Sequence, residues 1–250
     1  MNDRRWLILA LPLSLWILGQ VFLWRPDLFF VCLSFGALLI ILSAKLISAP
    51  DRGWPPFVIA PLLFFLSFSL YSAIIINRFW IQFIFLLVAW FAFSYFKDLY
   101  HYRRLASDEM TNRFGALFAS GGFLTVFAAA AVLFDLPVFI NWPLPLMLLI
   151  FMALVYLLFI QFLFLRRITW EGTGLLIITG TLILTELAWV LSFLPLDFNV
   201  LALLLAIFYY LVLAAVRLYW RNNLNSRALR LPIILSAGAV VILLLTARWL

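Results

Sequence analysis

Apolar residues run in long blocks along this chain, and polar residues gather between the blocks. The blocks lie near 7–23, 28–47, 57–76, 79–96, 114–134, 143–165, 173–194, 200–216 and 231–250, each bounded by charges, Pro, Gly or Asn, the usual punctuators of structure. A bilayer core about 30 Å thick takes about 20 apolar residues of helix per crossing, which is the length of these blocks. They are apolar on every face and lack the alternation of barrel strands. The pattern therefore predicts an all-α fold: a polytopic transmembrane bundle of about nine helices, with residues 1–250 forming a single helical domain.

The stretch Phe57 to Phe96 is interrupted only by Asn77 and Arg78. As one helix it would be about 60 Å long, twice the bilayer core, so a tight helical hairpin is expected. Charge tests the count independently, because cytoplasmic loops collect Lys and Arg. With nine crossings, 14 of the 17 basic residues fall on one side: Arg4, Arg5, Lys45, Arg52, Lys97, Arg103, Arg104, Arg113, Arg166, Arg167, Arg217, Arg221, Arg227 and Arg230. Only Arg25, Arg78 and Arg248 fall on the other. The expected topology has a cytoplasmic amino terminus and an external carboxyl terminus. The first block follows a charged flank, as a secretory signal does, but it is long enough to span and no small-x-small site follows Gly19. An uncleaved first helix is expected.

Composition agrees with this pattern. At 68% apolar, 11% charged and a mean hydropathy of +1.18, the chain departs far from soluble domains, which are about 25% charged. Nine crossings use about 180 residues and leave about 70, too few for a separate soluble domain. The net charge of +7 comes from short basic clusters between blocks, which suits anionic lipid headgroups at the cytoplasmic face and not nucleic acid. Trp6, Trp24, Trp54, Trp80, Trp142, Trp170, Trp220 and Trp249 fall at block ends, as interfacial anchors do. The one cysteine, Cys32, lies inside a block and is read as a buried thiol. Absence of Asn-x-Ser/Thr sequons and of a transit peptide fits a prokaryotic plasma membrane.

Glu186 is the one ionisable side chain well inside a block, about 12 Å from its outer end at Leu194. A carboxyl there must be protonated, paired or facing a wet cavity. Thr179, Ile183, Trp189 and Val190 share its helical face, and this stripe is expected to face protein. Depth limits its partners to Gln20, Arg25, Arg78, Gln82 and Arg248, which together form the candidate intramembrane polar site. His101, the only histidine, is read as a residue of the connector from Lys97 to Arg113. Ser107 before Asp108 and Glu109 reads as the cap of the fifth helix. One His and one Cys cannot assemble a metal cage or bis-histidine haem site, so no cofactor is expected. Glycines and alanines between Gly115 and Ala131, and Gly172, Gly174 and Gly180, mark the fifth and seventh helices as closely packed. VLFDLPVFIN, 132–141, echoes VLSFLPLDFN, 190–199. Both read as turns between helices, although duplicated hairpins also occur in transporters.

Three functional classes stay open. A non-catalytic membrane subunit or scaffold needs only packing and lipid-facing surfaces and is the leading reading, with a protein partner or a second copy of the chain implied. A small carrier of a solute, proton or lipid would use Glu186. A lipid-modifying enzyme would need a general base near the headgroups, for which Glu186 is again the candidate.

Overall fold

In the computed structural model the described residues are 6–47, 55–105, 108–140, 142–166, 173–220 and 226–247. They form α1 (Trp6–Trp24), a 3-10 turn (Pro26–Leu28), α2 (Phe29–Ile47), α3 (Pro56–Ile74), α4 (Arg78–Leu105), α5 (Asp108–Ile140), α6 (Leu144–Arg166), α7 (Gly174–Leu191), α8 (Phe198–Trp220) and α9 (Ser226–Thr246). Among these residues nine helices are long and apolar enough to cross a membrane, with mean hydropathies from 1.9 to 2.8.

The break at 75–77 separates α3 from α4, which pack against each other as a hairpin. Asn77 makes it sharp: its Oδ1 accepts the Phe79 N–H at 2.9 Å and its carbonyl accepts the Ile81 N–H at 3.2 Å, capping α4. Two helices outrun their apolar blocks. The fourth was expected to end near Phe96 but continues to Leu105, because Phe96, Leu99 and Tyr100 keep a buried face turning at helical spacing. The connector expected from Lys97 to Arg113 is therefore mostly helix. His101 lies on α4, its ring 5.7 Å from that of Tyr100. Asp98 is buried and meets the guanidinium of Arg113 at 3.4 Å, and Tyr102 stacks on Phe114 at 5.5 Å. Helix α5 opens at Asp108; the proposed cap Ser107 lies outside the described residues. At its other end α5 runs past Phe134 through Pro137 to Ile140, so the expected turn at 135–141 is largely helical.

The chain forms two compact units: Met1–Gly122 with Phe164–Arg166, and Phe123–Leu163 with Arg167–Leu250. In the first, α1 packs on α2 and α4, and α3 on α2 and α4. Glycines let rings lie against the helices: Phe85 covers Gly19, Phe65 covers Gly36 and Phe91 covers Gly121. Phe91 also stacks on Phe64 at 3.9 Å. In the second unit α8 packs on α7 and α9. A Cβ at Gly180 would come within 2.8 Å of Val212, and Phe159 of α6 packs on Tyr209 of α8 at 5.6 Å. Cys32 is buried, and Trp6, Trp24, Trp80 and Trp142 are exposed at or beside helix ends.

Candidate functional site

Helix α7 buries Gly174, Ile177, Gly180, Thr181, Leu184, Ala188 and Leu191 along one side. Its opposite side exposes Leu175, Ile178, Leu182, Ile183, Trp189 and Val190, and Glu186 sits among them, also exposed. The stripe expected to face protein is exposed in the isolated chain. The small residues decide this, because Gly180 and Ala188 allow close approach on their own side and leave the bulky side out. Thr185 does not reach out to Glu186; its hydroxyl donates to the Thr181 carbonyl at 2.9 Å. Glu186 makes no hydrogen bond or ion pair among the described residues.

The expected companions of Glu186 divide as follows. Gln20 on α1 is half-buried; Arg25 just after α1, Arg78 at the start of α4 and Gln82 one turn later are exposed. These four belong to the first unit and Glu186 to the second. Among the described residues no hydrogen bond or ion pair joins the four side chains. Arg248 lies outside the described residues.

A different carboxylate pair comes together within the second unit. Asp135 lies near the carboxyl end of α5, and Asp197 immediately precedes α8. Both line one cavity of about 450 Å³, together with Leu133, Phe134 and Leu144, the loop from Ser192 to Leu196, and Phe198 and Leu201. Asp197 is the cap of α8: its Oδ1 accepts the Asn199 N–H at 2.8 Å, and its carbonyl accepts those of Val200 and Leu201 at 2.9 and 3.1 Å. Asp135 has no such role. It is only 6% exposed, and its Oδ2 has no hydrogen-bond partner among the described residues.

The sequence read both aspartates as turn formers. The signal that would have found them is the echo itself: 132–141 and 190–199 each carry an Asp within two residues of Leu-Pro, and residues 133–135 of the first and 192–198 of the second line the same cavity. Buried polar side chains on the spans were also missed, among them Gln161 and Tyr209, both 0% exposed and enclosed in apolar runs that hide them from a hydropathy reading. No group of three or more His, Cys, Asp or Glu stands together among the described residues. Two carboxylates in an apolar wall fall short of the six to eight oxygens of a calcium site. Comparison with protein-family models, with curated proteins and with solved structures finds no match.

Proposed function

We propose that this chain is a multi-pass membrane protein acting as a non-catalytic subunit or scaffold, and that the exposed face of α7 docks a transmembrane helix of another chain. The carrying observation is Glu186 exposed on an otherwise apolar helix face. A carboxyl turned toward hydrocarbon costs several kcal/mol if charged and unpaired, so a neighbour offering a cation, amide or hydroxyl at that depth is what its position calls for. The membrane setting is supported by nine apolar helices and by an apolar exterior, with Trp24 86% and Leu175 and Leu245 each 80% exposed. The basic residues favour a cytoplasmic amino terminus, an external carboxyl terminus and anionic lipid at the cytoplasmic face, in a prokaryotic plasma membrane.

The test is photo-crosslinking in native membranes from positions Ile183, Trp189 and Val190. A discrete adduct is expected from this face, reduced about tenfold by Glu186→Leu, in line with about 1–2 kcal/mol for a polar contact between transmembrane helices. Crosslinks to lipid alone from all three positions sink the reading.

The second reading is a small carrier, favoured by the carboxylate-lined cavity of the second unit. Purified protein in liposomes should then carry a flux that Asp135→Asn removes. If the carrier couples to protons through Glu186, Glu186→Gln removes it as well.

A further inference from the structure

We propose that the cavity at Asp135 binds an organic cation, an ammonium group on an apolar body. Two features leave the Asp135 carboxyl without a partner in the chain. It is 6% exposed with Oδ2 unpartnered among the described residues. The carboxylate of Asp197 faces the same space, and only part of its charge is answered by the start of α8. A cation is the complement of such a site.

The wall chooses the kind of cation. Apart from the two carboxylates and Ser192 the lining side chains are apolar, with Phe134, Phe193 and Phe198 among them. A metal ion would keep most of its water there, whereas an alkylated ammonium sheds its weak hydration and gains from phenyl faces and aliphatic contact. The volume of about 450 Å³ lies within the range of about 300–1,000 Å³ of small-molecule pockets and exceeds what an inorganic ion fills. The ammonium can arrive on a free solute or on a lipid headgroup, since the cavity lies where the apolar spans Thr111–Leu136, Gly174–Leu191 and Phe198–Tyr219 end or begin. The inference deepens the carrier reading but needs only binding.

The probe is benzyltrimethylammonium, titrated calorimetrically into the full chain in phosphatidylglycerol nanodiscs, with neopentylbenzene as its uncharged carbon counterpart. Saturable one-to-one binding of the cation is expected, at least tenfold weaker in Asp135→Asn, with no saturable binding of the counterpart. Leu194→Trp narrows the cavity at a rim position that is 39% exposed and leaves both carboxylates untouched; it should weaken binding similarly, and it reads the site alone if Asp135→Asn fails to fold. In phosphatidylcholine nanodiscs a tenfold loss of probe affinity, absent from Leu194→Trp, supports a headgroup as occupant, and unchanged affinity supports a free solute. Absence of saturable binding to the wild type in phosphatidylglycerol, or full affinity in folded variants, overturns the proposal. Binding without flux upholds it while removing the carrier reading, and flux without binding does the reverse.

Discussion

Pro61 sits inside α3 and has no N–H to offer the carbonyl of Phe57, four residues earlier. Tyr95 of α4 supplies the missing donor: its hydroxyl reaches that carbonyl at 3.0 Å, fully buried. A buried carbonyl left without a donor is costly. Tyr95→Phe should therefore lower stability by about 1–3 kcal/mol, read as a drop in melting temperature in detergent, although it removes one oxygen atom. Glycines make the opposite kind of test. A Cβ at Gly19 would lie 2.4 Å from Phe85, whereas one at Gly238 meets nothing within 4 Å. Overpacking costs about 1–3 kcal/mol, against about 1 kcal/mol gained in helix propensity. Gly19→Ala should lose stability, Gly19→Val more, and Gly238→Ala should hold or gain. Equal behaviour at the two positions would remove the close α1–α4 approach as a source of stability.

At the scale of elements, periodicity located the helices, and local chemistry set their ends. The hairpin at Asn77 was legible because an apolar stretch of twice the bilayer thickness must turn back. The extension of α4 to Leu105 was not, since Asp98 becomes compatible with a buried face only once Arg113 of α5 lies beside it. Arg113 is 61% exposed but the Asp98 side chain only 10%, so Arg113→Met should cost about 1–3 kcal/mol by leaving that carboxylate unanswered. Single cysteines on a Cys32→Ser background test the proposed topology. Those at Asn77 and Asn199 should react with impermeant maleimide on intact cells, and those at Lys45 and Arg230 only after permeabilisation. Reaction of Lys45 and Asn77 positions from the same side would break the nine-span count at its third helix.

At the scale of the whole molecule, the exposure of Glu186 separates the stability of the chain from that of its assembly. If a partner covers this face, Glu186→Leu changes the stability of the isolated chain by no more than about 0.5 kcal/mol, as exposed positions do, while the crosslinked adduct falls about tenfold. A marked loss of stability in the isolated chain would instead mean that Glu186 is paired within it. The sequence by itself determined that the chain is helical and where its apolar spans run, because block length and the punctuation between blocks are local properties that each segment carries alone. It also singled out Glu186, since one acid in an apolar run is visible without neighbours. Only the tertiary structure decided which way that acid points, because the side of α7 that packs is chosen by Gly180 and Ala188 meeting other helices. Only the tertiary structure brought Asp135 and Asp197 to one cavity, for their separation along the chain hides a proximity that exists once α5 and the α7–α8 loop fold together.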